Sequence, residues 1–278
     1  MNGHEMKLAM GRGERLLGSM FVTARTGRWD HTIREAGFDF LVIDNEHAPY
    51  SRTETADWMA KLTEMGICPF IRVPNRSPHH VLMALDGGAQ GVIVPYVETP
   101  EQVRETVWAA KFRPLQGRML EEAAAGRFPS EETRLYLEEL NRNNLLFISV
   151  ESVAAVERVE ELLAVKGVDG VLIGSYDLSI QLGLPNQYQS EAFVKTARRV
   201  IAACRQHRVP VMIHGFNLDM ARMWIEEGVN LVLFGTDRRT FSEGFVTDFA
   251  FLRDVGEGKP AERPRLRLVR TEGKTPER

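Results

Sequence analysis

The sequence predicts an α/β fold, a (β/α)8 barrel of the TIM type in a single domain, on three observations. Eight short apolar runs rich in branched residues punctuate the 278-residue chain, the pattern of strands buried on both faces. Helical patterns separate most of them. Many units then share one syntax, in which a glycine closes the helix and the next strand begins a step or two later. Strand–helix alternation repeated about eight times is the signature of a barrel. An open doubly wound sheet suits eight regular units less well and would carry a Gly-x-Gly-x-x-Gly turn after its first strand, which is missing.

The first strand is expected at 17–23 and the second at 38–44, introduced by Ala36-Gly37. A helix over 53–65 follows the capping residue Ser51, and Met65-Gly66 leads to a strand at 69–73. Ser77 and Pro78 open the next helix, Pro78–Asp86, before Gly88 and a strand at 91–97. Thr99 and Pro100 open a helix over 101–111. Strands at 145–151 and 170–174 flank a helix at 154–163 that closes with Gly167. Helices at 190–207 and 218–227, strands at 209–214 and 231–235, and a last helix from 240 to about 255 complete the barrel.

Three regions fall outside the repeat. Residues 1–15 read as an N-terminal extension to a barrel domain over 16–256, and 257–278, proline-bearing and highly charged, as a disordered tail. Residues 114–144 carry Gly117-Arg118, the small stretch from Ala123 to Gly126, Pro129 and an acidic helical segment. That segment is expected to be an enlarged loop over the barrel mouth.

Composition narrows the function. Net charge is −3 with acids and bases interspersed, so no broad basic face for nucleic acid is expected. The apolar runs fall well short of the ~18 residues that span a bilayer, so no membrane partner is expected. Residues 1–15 lack the apolar core of a signal peptide. Cys68 and Cys204 form neither a CxxC pair nor a disulfide framework, which suits a reducing cytoplasm.

Chemistry in such barrels sits where strands end. Reading those ends yields Asp44, Glu46 and His47, then Arg72, then Ser149 and Glu151, which period-two alternation puts on one face. Gly174 to Asp177, His214, and Asp237 with Arg238 and Arg239 follow. Glu151 and Asp177 each surface at the end of a buried strand, and two acids aimed at one mouth suggest a divalent cation. Helix caps or partners for arginine are their other reading. His47 beside Asp44 and Glu46 suits a base oriented by a carboxylate, although it could merely cap or pack. Arg72, inside a strand, needs an anion or oxyanion partner. Asp237 reads as structural. No lysine occupies a strand end, which argues against a Schiff base and for a metal as electron sink.

Several stretches resemble the HpcH/HpaI aldolase/citrate lyase family, the metal-dependent pyruvate aldolases. They are Gly37-Phe38-Asp39 through Asp44-Asn45-Glu46-His47-Ala48-Pro49, Ile71-Arg72-Val73-Pro74-Asn75, and Leu85-Asp86-Gly87-Gly88-Ala89-Gln90-Gly91 through Pro95. Val150-Glu151-Ser152 and Gly167-Val168-Asp169-Gly170 through Gly174-Ser175-Tyr176-Asp177-Leu178-Ser179 continue the match. The resemblance implies a divalent metal (Mg2+, Mn2+ or Co2+) on Glu151 and Asp177, His47 as base with Asp44 beside it, and Arg72 supporting an enolate oxygen. It further implies backbone amides at Gly174–Ser175 holding a pyruvate carboxylate, Asp86 reaching a neighbouring subunit's site, and a homohexamer built from dimers. Three departures concern the aldehyde side: Ser149 stands where members carry glutamine, Ser175-Tyr176 replaces a common proline and a small or polar residue, and the 116–121 loop lacks the usual glycine-rich continuation.

The expected activity is reversible cleavage of a 4-hydroxy-2-oxo acid to pyruvate and an aldehyde. A CoA-dependent citramalyl- or malyl-type lyase on the same barrel, and a catalytically silent 2-oxo-acid-binding barrel, are the alternatives. The first would want a basic groove, for which Arg113, Arg118 and Arg127 are the loop candidates.

Overall fold

The eight apolar runs pair in chain order into one closed parallel barrel, in a computed structural model that describes residues 1–25 and 27–257. The strands are β1 (Leu16–Phe21), β2 (Phe40–Asp44), β3 (Cys68–Arg72), β4 (Gly91–Val94), β5 (Leu145–Val150), β6 (Gly170–Ile173), β7 (Val211–Gly215) and β8 (Leu231–Thr236), with β1 also pairing β8. Each expected strand is present, within one or two residues at its start and up to three at its end.

Register explains how the interior fills. Gly18 lies opposite Phe40, Gly91 opposite Phe70, and Gly170 opposite Phe147. A β-carbon at any of these glycines would stand 2.2–2.5 Å from the facing ring. Each phenylalanine thus occupies the volume its neighbour strand leaves empty. The rings then pack edge-on or tilted, with centroids 5.7 Å apart for Phe40–Phe70 and 5.4 Å for Phe70–Phe147. With Met20, Val42, Ile93, Leu172, Met212 and Leu233 they make the barrel a solid core.

The helices are α2 (Asp30–Ala36), α3 (Arg52–Glu64), α4 (Pro78–Asp86), α5 (Pro100–Lys111), α6 (Gly117–Ala124), α7 (Glu131–Leu140), α8 (Val153–Glu157), α9 (Val159–Leu163), α10 (Ser175–Gln181), α11 (Glu191–His207) and α12 (Leu218–Glu226), preceded by α1 (Gly3–Gly11). Ser51 with Glu54, and Thr99 with Gln102, form the reciprocal caps their sequences announce. Ser77 makes no cap bond; Asn75 accepts its backbone N–H instead, at 2.9 Å. The helix expected over 154–163 breaks at Arg158 into α8 and α9.

Two expectations need correction. Residues 1–15 are more than an extension: α1, capped by Asn2 and Glu5, drives Met6, Ala9 and Met10 into the apolar cluster at the foot of the barrel. The segment 114–144 does not cover the mouth. It joins the end of α5 to the start of β5, so both its ends lie at the amino ends of the strands, and between them α6 packs along the outside of α4 and α5. At the amino ends Lys7 of α1 donates to the Asn141 and Arg142 carbonyls, at 2.9 and 3.1 Å, and Lys111 bonds the Asn144 carbonyl. A return from helix to strand starts at the end opposite the mouth, and length alone does not carry it across.

Compact packing puts Met1–Asp237 in one unit, and a second begins at Arg238. The second holds nearly all of α13 (Asp237–Gly256), on which Phe241, Phe245 and Phe249 follow one another with centroids 4.7 and 5.9 Å apart. The expected tail, 258–278, lies outside the described residues.

Candidate active site

Alternation along the strands places the site directly above the aromatic layer. Phe40, Val42 and then Asp44 point inward on β2; Phe70 and then Arg72 on β3; Phe147 and then Ser149 on β5, with Glu151 next beyond the strand. The same pleat that fills the core thus ends in polar groups at the mouth.

Arg72 is the hub. Its Nε and Nη2 donate to Asp44 Oδ1 and Oδ2 at 2.9 and 2.8 Å, a two-point fork that fixes the guanidinium plane. Nε is also 3.0 Å from Glu46 Oε2, but that oxygen is buried with no hydrogen bond, because Nε already donates to Asp44. Burial works against the Arg72 charge. The bonds to Asp44 and the fields of Glu46 and Glu151 outweigh it and hold the guanidinium protonated.

Glu151, 5% exposed, accepts the Tyr96 backbone N–H at 2.6 Å. Burial above all, then the Glu46 and Asp177 charges, push its carboxyl up to about 7 against the opposing pull of the Tyr96 bond and Arg72. Asp177 lies in the first turn of α10, near enough for its charge to act on Glu151 and Tyr96. Gly174 makes room for this arrangement: a β-carbon there would sit 2.6 Å from both Cβ and Oε2 of Glu151. Its own N–H donates to the Val150 carbonyl at 3.1 Å, so at the site Gly174 acts by its small size. Ser175 is buried and turns its hydroxyl to the His214 carbonyl at 3.4 Å.

These residues fit a divalent cation. Glu151 is short of positive charge, Asp177 faces the same mouth, and the fully buried Ser149 hydroxyl has no protein partner. Among the described residues no cluster of three or more His, Cys, Asp or Glu forms a complete cage. A pair of carboxylates with the remaining positions left to water and substrate is how Mg2+ is commonly held.

His47 stands at the rim, with its side chain 55% exposed and Nε2 3.4 Å from Glu46 Oε1. The carboxylate beside the imidazole is therefore Glu46. Asp44 bonds Arg72 and the Glu46 backbone N–H (3.0 Å). Two other polar groups are structural. His214 Nε2 lies 3.1 Å from the Gly235 carbonyl, and Asp237 accepts the N–H groups of Val22, Thr23 and Ala24 at 2.6–3.0 Å. Asp86 sits away from the mouth, at the end of α4, paired with Arg113. Sequence reasoning missed Tyr96, which the structure puts beside Glu46 and Glu151. A bulky aromatic directly after Pro95, at the end of the fourth strand, was the available signal.

Residues 18–243 match the HpcH/HpaI aldolase/citrate lyase family. The chain belongs to that family. Its relatives include a 2-keto-3-deoxy-L-rhamnonate aldolase of Salmonella dublin, 29% identical over 261 residues, which cover 92% of this chain and 96% of the relative. Among solved structures, an HpcH/HpaI aldolase from Desulfitobacterium hafniense superposes with a TM-score of 0.77 at 26% identity, covering 93% of this chain and 99% of the other. A family protein from Burkholderia cenocepacia gives 0.76 at 28% identity, with 90% and 99% covered. HpcH/HpaI aldolases typically depend on a divalent metal, in keeping with the donor set at this mouth.

Proposed function

We propose that this HpcH/HpaI protein is a divalent-metal-dependent aldolase that reversibly cleaves a 4-hydroxy-2-oxo acid to pyruvate and an aldehyde. The observation that carries this reading is the mouth itself, where an under-compensated acid pair, Glu151 and Asp177, faces an arginine fork pinned by Asp44. The 2-keto-3-deoxy sugar acid in the relative's name has the same 2-oxo, 3-deoxy framework. Glu151 and Asp177 would hold Mg2+, Mn2+ or Co2+, which supplies Lewis-acid polarisation of the 2-oxo group.

The remaining steps belong to the chain. Arg72 uses two N–H groups on Asp44 and keeps others for the oxygen that becomes the enolate. His47, directly or through a water, takes the C4 hydroxyl proton with Glu46 stabilising the imidazolium. The C3–C4 bond then breaks, C4 becomes the aldehyde carbon, the bond's electron pair passes to C3 to form the pyruvate enolate, and the proton held on His47 returns to C3, directly or through water. The Ser175 backbone N–H, in the first turn of α10, and the Ser149 hydroxyl are the donors proposed for the pyruvate end. Two of the three arginines that a CoA groove would need are already engaged, Arg113 by Asp86 and Arg118 by Glu122, which favours the aldolase over the CoA lyase.

Solvent deuterium should enter the pyruvate methyl group in the presence of the enzyme and Mg2+ or Mn2+. A silent binding barrel would leave the methyl signal unchanged by NMR. His47→Ala should slow aldol cleavage by about 10²-fold, within the usual range for a general base, and weaken pyruvate binding far less. Lost pyruvate affinity with turnover of the bound state intact would make His47 a binding residue instead.

The partners of this reading are a small 2-oxo acid and an aldehyde, and its location is the cytoplasm, where the free, buried Cys68 and Cys204 would stay reduced. It also includes a homohexamer whose Asp86 serves a neighbouring subunit. Asp86 is 70% exposed in its side chain and far from its own mouth, and α13 presents Phe241, Phe245, Phe249 and Leu252, all about half exposed. Light scattering should give a mass several times that of the 31.5 kDa chain. Asp86→Asn should lower turnover and leave metal content unchanged; a fully active monomer would remove this part of the proposal.

A further inference from the structure

We propose that Ser152 and Glu98 are a positioning pair that holds Glu151 ready for the metal, an assignment that rests on the metal-dependent reading above. The two segments that meet here follow neighbouring strands, β4 and β5. Adjacent residues on one engage alternate residues on the other. Glu151 Oε1 accepts the Tyr96 backbone N–H at 2.6 Å, and the Ser152 hydroxyl donates to Glu98 Oε1, also at 2.6 Å. Val97, between the two held residues, is buried.

Helix capping does not account for the Ser152–Glu98 bond. The Ser152 oxygen caps α8 by accepting the Ala155 N–H at 3.1 Å, and a cap needs no donated hydrogen. The α5 cap is complete without the Glu98 carboxylate. Thr99 Oγ1 accepts the Gln102 N–H at 3.3 Å, and Gln102 Oε1 accepts the Glu98 and Thr99 N–H groups at 2.8 and 3.2 Å. What the bond opposes is backbone strain. Tyr96 stands at φ +58°, a left-handed conformation that a non-glycine residue keeps only where its surroundings enforce it. Without the bond to Ser152, the turn can relax and withdraw the N–H from Glu151, whose side chain then rotates. With it, Oε1 is engaged by the peptide, and Oε2, on the Gly174 side, is the oxygen left for a cation. Carboxylates that bind metals are commonly oriented in this way, by hydrogen bonds from groups behind them.

Mn2+ affinity of the metal-free full-length protein tests the pair, titrated without pyruvate and followed by the electron paramagnetic resonance of free Mn2+. Ser152→Ala and Glu98→Ala should each weaken binding by about 10-fold or more, the usual effect of losing a group that orients a ligand. The double variant should be no weaker than the worse single one, because both changes break the same bond. Glu98→Ala leaves the α8 cap intact, so its effect cannot come from an uncapped helix. Ser152→Thr keeps the hydroxyl, and Glu98→Gln keeps an acceptor oxygen without the charge, so both should stay within about threefold of wild type. Glu98→Ala within about threefold of wild type overturns the assignment. So does Glu98→Gln weakened as far as Glu98→Ala, which would make the lost charge the cause. Glu151→Ala is the control for the metal reading. If it binds Mn2+ as wild type does, that reading and this assignment fall together, whereas loss in Glu151→Ala with none in Glu98→Ala overturns this assignment alone.

Discussion

Chelation with EDTA should abolish turnover and excess Mg2+ or Mn2+ should restore it, while borohydride with pyruvate should trap no adduct, since among the described residues no lysine stands at a strand end. That is the expected result with the largest effect. A borohydride-stable pyruvate adduct would replace the metal reading with a Schiff base. Glu151→Ala and Asp177→Ala should each lose bound metal, by elemental analysis, and remain folded. Removing either acid relieves the repulsion between neighbouring carboxylates that adds to burial in pushing the Glu151 carboxyl up, and it opens no apolar cavity in the aromatic layer below. The burial of Glu151, with the Glu46 and Asp177 charges added to it, makes the metal-free protein pH-sensitive. The folded pKa of Glu151 lies above its ordinary 4.5, so this group's contribution is fully present below about 4.5 and is lost as pH rises through about 7. Melting of the metal-free enzyme should therefore occur at lower temperature at pH 8 than at pH 5. Added Mg2+ should raise it more at pH 8, and Glu151→Gln should flatten the difference. An identical pH dependence in wild type and Glu151→Gln would place the sensitivity elsewhere.

Arg72→Lys should lower kcat by about 10²-fold or more, comparable to losing one oxyanion donor. Lysine keeps the charge, but it has neither the planar fork that engages both oxygens of Asp44 nor the donors left over for an enolate oxygen. Asp44 is 1% exposed, so the substitution also leaves a buried carboxylate with an imperfect partner. Stability should consequently fall as well, and rates must be read on protein shown to be folded by circular dichroism. Metal content should hold, since Arg72 acts on Glu151 only through its field. Undiminished kcat with raised KM would make Arg72 a ground-state binding residue.

The sequence by itself determined the barrel, because eight buried strands with glycine-closed helices between them leave few other ways to cover both faces of each strand. It also indicated which polar groups share a face with the core, since alternation carries Phe40 to Asp44, Phe70 to Arg72, and Phe147 to Ser149 and Glu151. Tertiary structure decided the pairings. Asp44 and His47 are neighbours in sequence, yet Asp44 turns to Arg72 across the β2–β3 ladder, and Glu46 is the carboxylate beside the imidazole. Tyr96 entered the site only because the chain after β4 turns through a left-handed residue to reach Glu151, a contact 55 residues away in sequence. The foot of the barrel was equally hidden. Met6, Ala9 and Met10 have a surface to cover only once the strands have closed. Periodicity reports which face of an element is buried; which group fills that space is set by packing between segments distant in the chain.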